Sequence, residues 1–132
     1  MNRDNVNHII TPPTRNQLPI IQRLVEAYKL WHEFLPHVPK DARYTLGTKI
    51  DKLLIETAEM IFTASYVSKD KKQPYLQKAT ARLDLAKFFL QILWEVNAIN
   101  NKKYIALSEK LDAVGKMLGG WTKGIESKPP AK

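Results

Sequence analysis

The chain has 132 residues, a length that fits one domain able to bury a core without disulfides or a metal. It contains no Cys, which excludes a disulfide framework and a cysteine-based zinc site and suits a reducing compartment. Its 21 Lys and Arg residues exceed its 13 Asp and Glu residues, and the formal net charge of +8 favours polyanionic partners, either nucleic acid or an anionic membrane. A basic surface that only keeps the protein soluble is the alternative.

The two ends of the chain lack the pattern of a packed element. Residues 1–17 are polar and contain Pro12 and Pro13, which disfavour helix, so we predict a flexible N-terminal arm. Residues 127–132 contain two prolines between lysines and are predicted to form a disordered basic tail. No segment approaches the roughly 20 apolar residues of a membrane span, and the first residues lack the apolar region of a signal peptide. We therefore expect a cytoplasmic protein without a membrane partner.

Between these ends, apolar residues recur at steps of three and four in four blocks, which is the period of an α-helix. The first apolar stripe spans residues 20–35 and ends before Pro36, which suits a helix of about 16 to 18 residues. The second block opens at Asp41, a suitable N-cap, and its stripe spans residues 46–64. On its polar face, Lys52 and Glu56 have the i,i+4 spacing of a surface ion pair.

The third block begins near Pro74 and ends near residue 97, and the fourth spans residues 104–125. Links of about 3 to 8 residues cannot cross the length of a helix, so sequential neighbours must run antiparallel. The sequence therefore predicts an all-α domain over residues 18–126, an up-down-up-down antiparallel four-helix bundle.

Sequence signatures of catalysis are missing. The chain has no glycine-rich phosphate loop, no G-x-S-x-G motif and no Cys-His arrangement. His32 and His37 are five residues apart across a helix end, and a solvated surface position explains both better than a shared metal ion. We predict a protein that is not an enzyme and that has no catalytic residue, no cofactor and no metal site.

Helix four contains glycines that lower its intrinsic stability. Gly115 and Gly119 are four residues apart, Gly120 follows, and each glycine inside a helix costs roughly 1 kcal/mol relative to alanine. Together with Ser108, Gly115 and Gly119 form a stripe of small residues where another helix could approach closely, either within the bundle or from another subunit. Alternatively, Gly119 and Gly120 end the helix as a C-cap.

Basic residues are densest in the second half of the chain. Because helices three and four are neighbours in the predicted bundle, much of this charge could share one side and follow a phosphate backbone. Arg82 lies close to the apolar stripe of helix three, so it either covers the core with its aliphatic stem or contacts a partner. The candidate nucleic-acid-binding residues of these two helices are Lys78, Arg82, Lys87, Lys110, Lys116 and Lys123.

Several short motifs together resemble the accessory variability determinant of diversity-generating retroelements. The resemblance covers about residues 18–121 in matching order. The motifs are Val38-Pro39-Lys40, Arg43, Leu46-Gly47 and Ile50 around the start of helix two, Tyr75-Leu76 and Lys87-Phe88-Phe89-Leu90 on helix three, and Val114-Gly115-Lys116-Met117-Leu118-Gly119-Gly120-Trp121 on helix four.

This resemblance implies a four-helix bundle that assembles into a basic homopentamer and is not itself the polymerase. It implies binding to nucleic acid, RNA or DNA, and to the reverse transcriptase of the retroelement during mutagenic retrohoming. Lys87 stands where the family has a basic residue, and Arg43 is the next candidate for the positive surface. Gly115, Gly119 and Trp121 correspond to structural or oligomer positions.

Two alternatives remain open at this point. The four-helix-bundle proteins encoded in intervening sequences of ribosomal RNA genes share the fold and the Pro-Lys opening of helix two, although their glycine pattern is less similar to residues 114–121. A purely structural oligomeric scaffold would also fit the helices, with its charge serving solubility alone.

Overall fold

The computed structural model describes residues 18–126, and the predicted arm and tail lie outside the described residues. Four long helices account for most of this range, and it contains no strand, so the prediction of an all-helical protein is confirmed. The helices are α1, Leu18–Phe34; α2, Thr48–Tyr66; α3, Lys72–Glu95; and α4, Asn101–Glu126.

The segment between α1 and α2 is itself helical. α1 ends at Phe34, just before Pro36, and a 3₁₀ turn at Leu35–His37 follows. An α-helical turn, Lys40–Ala42, and a π-helical segment, Arg43–Gly47, then lead directly into α2. Asp41 lies inside the first turn and Pro39 occupies the N-cap position, so the prediction of Asp41 as the N-cap is wrong.

Each helix contacts the next one along the chain, and α1 also packs against α4, which closes a ring of four helices. The contact between α1 and α2 is the sparsest of the four. The ring encloses one core in which Trp31, Leu54, Leu83 and Leu111 represent the four helices. This arrangement is compatible with the predicted up-down-up-down bundle, because short links place sequential helices side by side.

Hydrogen bonds to side chains and unusual backbone conformations end the inner helices. The ammonium of Lys72 donates to the carbonyl oxygens of Ala64 and Val67 and so satisfies acceptors at the end of α2. Two residues after the end of α3, Asn97 lies in the left-handed region (φ 63°), and the N–H of Ala98 donates to the Leu93 carbonyl at 2.9 Å. This pattern is typical of a Schellman C-cap with asparagine in place of glycine.

α4 continues through its glycines, so the alternative that Gly119 and Gly120 end the helix is wrong. Trp121 and Ile125 pack against the core beyond the glycines, and the side-chain amide of Gln73 donates to Glu126 at 2.9 Å. Tertiary packing of the last turns therefore offsets the unfavourable helix propensity of glycine. No helix within residues 18–126 is both long and apolar enough to cross a membrane.

Candidate nucleic-acid interface

An open groove of about 750 Å³ runs between α3 and α4. Its α4 wall includes two exposed lysines, Lys116 and Lys123, seven residues apart and hence on one side of the helix. Neither ammonium has an ion-pair partner among residues 18–126. Asp84 and Glu126 also line the groove, so its charge is mixed, with the unpaired lysines on α4.

Glycine backbone forms part of this groove. A methyl group at Gly119 or Gly120 would meet no heavy atom within 4 Å, so no other described element approaches either residue closely. At Gly115 a methyl group would lie 3.7 Å from Leu83 of α3, an ordinary van der Waals distance. Of the predicted small-residue stripe, Gly115 therefore faces a helix of the same chain, and Gly119 is open to solvent or to a partner.

Lys87 points toward the same side of the molecule but forms an ion pair within the chain. Its ammonium lies 2.7 Å from a carboxylate oxygen of Asp112 on α4, and the two side chains are 36% and 54% exposed. The pair leaves Lys87 within reach of solvent. Its charge is offset by a neighbouring carboxylate, in contrast to Lys116 and Lys123.

Arg82 bridges α2 and α3. Its Nε lies 3.6 Å from a carboxylate oxygen of Glu56, and both side chains are partly buried. Glu56 therefore pairs with a residue of another helix, and Lys52, its predicted i,i+4 partner, does not form that ion pair among the described residues. Arg82 and Glu56 stabilise the α2–α3 contact, and this position is separate from the α3–α4 groove.

The remaining candidate residues lie on other parts of the surface. The Nε–H of Arg43 donates to the Val38 carbonyl at 3.1 Å, and its guanidinium lies 5.8 Å from the ring centre of Tyr44. Lys78 is exposed, with its ammonium 6.0 Å from the ring centre of Tyr75.

Lys110 lies with Arg23, Glu26 and Glu109 in a separate groove between α1 and α4. Of the seven candidate residues, the structure therefore brings Lys87, Lys116 and Lys123 to the α3–α4 side and separates the others from it.

Sequence reasoning missed the structural use of Lys72. Its ammonium lies 5.9 Å from the ring centre of Trp121, in addition to its two hydrogen bonds to carbonyl oxygens. Burial lowers the pKa of Lys72. Trp121, which the resemblance made a structural position, thus lies beside the end of α2. The sequence carries no signal for this contact, because Lys72 belongs to a run of lysines that resembles a solvated loop.

A further concave region lies at one end of the helices, and the sequence analysis did not predict it. This cavity of about 550 Å³ is lined by Phe34, Trp94 and residues 97–101, among others. The rings of Trp94 and Tyr104 stack at 4.8 Å with an angle of 8° between them, and the indole N–H of Trp94 donates to the Asn101 side chain at 2.6 Å. These contacts fix the start of α4 against the end of α3.

A family model described as bAvd-like matches residues 18–125, which include all four helices almost to their last residue. The chain belongs to the bAvd-like family. The resemblance to the accessory variability determinant is confirmed at the level of the family. The comparisons with curated proteins and with solved structures found no match. The bAvd-like match covers every candidate residue described above, including Lys116, Lys123 and the glycines between them.

Proposed function

We propose that this bAvd-like protein is a non-enzymatic accessory subunit of a diversity-generating retroelement, and that it acts in the cytoplasm. In this role it binds RNA or DNA through basic side chains and docks the retroelement's reverse transcriptase during mutagenic retrohoming. It works as a homo-oligomer, a pentamer by resemblance. Membership of the family supports the role, and the net charge of +8 supports a polyanionic partner.

The observation that carries the nucleic-acid proposal is the pair Lys116 and Lys123. Both are exposed on one side of α4, next to bare glycine backbone, and neither is neutralised by a carboxylate within residues 18–126. Unpaired lysines bind phosphate oxygens and release condensed counterions. Backbone without Cβ atoms lets a phosphate backbone approach the helix surface. We expect binding that depends strongly on salt and little on sequence.

Fluorescence anisotropy with a labelled single-stranded RNA tests this proposal. The variant Lys116→Gln/Lys123→Gln is expected to lower affinity at low salt and to reduce the slope of log K against log [salt] by about 0.7 per lost phosphate contact. The matched control is Lys49→Gln/Lys52→Gln, which removes the same charge from exposed positions of α2. Equal losses of affinity for both variants would mean that binding depends only on the net charge of the protein. Absence of wild-type binding to RNA and DNA at low salt would refute nucleic-acid binding.

A protein-only scaffold is the second candidate function. It is favoured by Arg82 and Lys87, because both form ion pairs within the chain and are thus less available to a ligand. Pull-down of the reverse transcriptase, with and without nuclease treatment, separates the two functions. Capture that is unaffected by nuclease, together with no binding to free RNA or DNA, would favour the scaffold.

A further inference from the structure

The cavity of about 550 Å³ at one end of the bundle has no role in the function proposed above. It lies where the end of α1 meets the link between α3 and α4, and its lining includes Lys103 of α4. Lys103 and Lys116 are about 20 Å apart along α4, at 1.5 Å per residue, so this cavity is separate from the α3–α4 groove. Its volume falls within the range of roughly 300–1,000 Å³ that is typical of small-molecule sites. We call it the end cavity.

The charge of the end cavity is positive. Within residues 18–126 its lining contains no Asp or Glu, whereas carboxylates line both the α3–α4 groove and the groove between α1 and α4. The ammonium of Lys103 lies 5.5 Å from the ring centre of Phe34, which also lines the cavity, and it forms no ion pair with a described residue. Lys103 is also only partly exposed. A concave surface lined by charge of one sign attracts ligands of the opposite sign, so the end cavity favours an anion.

Two asparagine side chains in the lining have amide orientations that are fixed by their hydrogen bonds. The amide oxygen of Asn101 accepts from the Trp94 indole N–H at 2.6 Å, and that of Asn100 accepts from the backbone N–H of Lys103 at 2.8 Å. Because both partners are donors, each amide must present its oxygen to its partner, and each NH₂ group is left without an acceptor among residues 18–126. The end cavity thus combines two amide NH₂ groups with the Lys103 ammonium, which suits a ligand rich in acceptors, such as a phosphate.

The lining also includes two aromatic side chains, Phe34 and Trp94, and both are partly exposed. Tyr104 covers one face of the Trp94 indole and does not itself line the cavity, so the cavity contacts the indole away from that face. Aromatic side chains bind unpaired nucleobases by stacking, and this binding tolerates many sequences because every base has a π-face. A ligand that joins a phosphate to a flat aromatic group therefore matches both the donors and the rings of the end cavity.

We propose that the end cavity binds a nucleoside phosphate, supplied by one unpaired nucleotide of a single-stranded RNA or DNA. Its phosphate binds Lys103 and the two amides, and its base packs against Phe34 and Trp94. The inference rests on the proposed nucleic-acid binding and adds a contact separate from Lys116 and Lys123. Those exposed lysines attract the phosphates of single strands and duplexes alike, whereas a cavity admits a base only when it is unpaired. We therefore expect the end cavity to favour single strands.

Tryptophan fluorescence of the full chain during titration with adenosine monophosphate tests the site. A base that packs against Trp94 is expected to quench part of the emission. Trp94→Phe keeps an aromatic ring and should abolish the quenching, whereas Trp121→Phe removes an indole that does not line the cavity and should preserve it. Circular dichroism establishes that both variants are folded. Absence of quenching in the wild type, or quenching that persists in Trp94→Phe, would overturn the proposal.

A charge substitution tests the phosphate contact. Lys103→Gln is expected to weaken the binding of adenosine monophosphate about tenfold, because it removes a charge-assisted hydrogen bond. The matched control is Lys102→Gln, which removes the same charge one residue away, at an exposed side chain that does not line the cavity, and should bind as the wild type does. Adenosine, which lacks the phosphate, should bind equally to the wild type and to Lys103→Gln. Equal losses for the two lysine variants, or equal wild-type affinity for adenosine and its monophosphate, would overturn this contact.

Anisotropy with a labelled single-stranded RNA and with its duplex separates this inference from the nucleic-acid proposal. Lys103→Gln should weaken binding of the single strand more than binding of the duplex, whereas Lys116→Gln/Lys123→Gln should weaken both alike.

If the single strand responds to Lys116→Gln/Lys123→Gln and not to Lys103→Gln, the end-cavity inference fails and the nucleic-acid proposal stands. If adenosine monophosphate quenches Trp94 while no RNA or DNA binds at low salt, the nucleic-acid proposal fails, and with it the strand as the source of the nucleotide. The nucleoside-phosphate site would then stand, with a free nucleotide as its ligand.

Discussion

Lys87 of α3 and Asp112 of α4 form an ion pair of 2.7 Å beside the groove that carries Lys116 and Lys123. Asp112 offsets the charge of Lys87 and also places a carboxylate close to the proposed path of the phosphates. An exposed pair of this kind contributes no more than about 1 kcal/mol to stability. Its larger effect is therefore on the electrostatic potential of the α3–α4 side.

Removing the carboxylate is expected to strengthen nucleic-acid binding. In Asp112→Asn, Lys87 loses its carboxylate partner, so its positive charge is no longer offset. Affinity for single-stranded RNA at low salt should therefore rise. Lys87→Gln should lower affinity less than Lys116→Gln, because only the second substitution removes an unpaired charge. Anisotropy titrations at two salt concentrations measure both effects. A larger loss for Lys87→Gln than for Lys116→Gln would show that the ion pair opens when the nucleic acid binds.

Asp51 anchors α1 to α2 where the two helices otherwise make few contacts. One carboxylate oxygen accepts hydrogen bonds from the Tyr28 hydroxyl at 2.9 Å and from the Trp31 indole N–H at 3.1 Å. Trp31 is fully buried, and removing the Asp51 carboxylate takes away the hydrogen-bond acceptor of its indole N–H. We expect Asp51→Ala to lower the free energy of unfolding by about 1–3 kcal/mol. Urea unfolding measures this, with the exposed Glu33→Ala as a control that should change stability by less than about 0.5 kcal/mol.

The same hydrogen bond predicts a dependence of stability on pH. Burial and the hydrogen bond to Asp51 both raise the pKa of Tyr28. The folded state therefore holds the phenolic proton more tightly than the unfolded state does. This contribution is fully present below the ordinary tyrosine pKa of about 10 and is lost as the pH rises through the raised value. Unfolding followed between pH 8 and 11 should show a smaller decline for Tyr28→Phe than for wild type, and parallel declines would contradict this assignment.

Replacing glycine by alanine should change the free energy of unfolding differently in α4 and in the π-helical segment. At Gly120 a methyl group meets open space, so Gly120→Ala should raise the free energy of unfolding by about 0.5–1 kcal/mol. At Gly47 a methyl group would lie 3.1 Å from a methyl carbon of Leu35, so Gly47→Ala should gain less or destabilise the fold. Thermal unfolding of the two variants tests this order. If Gly120→Ala instead weakens RNA binding while it stabilises the fold, close approach of the nucleic acid to bare backbone is indicated.

Lys72 is expected to behave as a structural residue. Lys72→Met keeps an aliphatic stem beside Trp121 but removes two hydrogen bonds to carbonyl oxygens at the end of α2. We expect a loss of about 1–3 kcal/mol in the free energy of unfolding. Lys71→Met is the matched control, because Lys71 is exposed and one residue away. A similar loss for both variants would indicate that charge at the α2–α3 link matters and that the hydrogen bonds do not.

The helices themselves could be predicted because their signals are local. Apolar residues at steps of three and four located all four helices, and Pro36 marked the end of α1 to within two residues. The end of α4 could not be predicted in the same way, since glycine propensity favours termination at Gly119 and Gly120. Packing of Trp121 and Ile125 against the core outweighs that propensity, and it depends on where the other helices lie.

The candidate site was predicted less completely, because whether a charged side chain forms an ion pair depends on its neighbours in space. From the sequence, Lys87 and Arg82 were candidates for nucleic-acid binding on the same basis as Lys116 and Lys123. The i,i+4 spacing likewise predicted an ion pair between Glu56 and Lys52. The structure instead pairs Glu56 with Arg82 and Asp112 with Lys87, in each case across two helices.

The sequence by itself thus determined the helical class, the number of helices and the excess of basic charge, which follow from composition and from periodicity within each segment. Only the tertiary structure decided which lysines lack a carboxylate partner, which glycines are open, and which apolar side chains are left uncovered on α2 and α3. These properties depend on the distance between side chains of different helices, and that distance is set by how the helices pack.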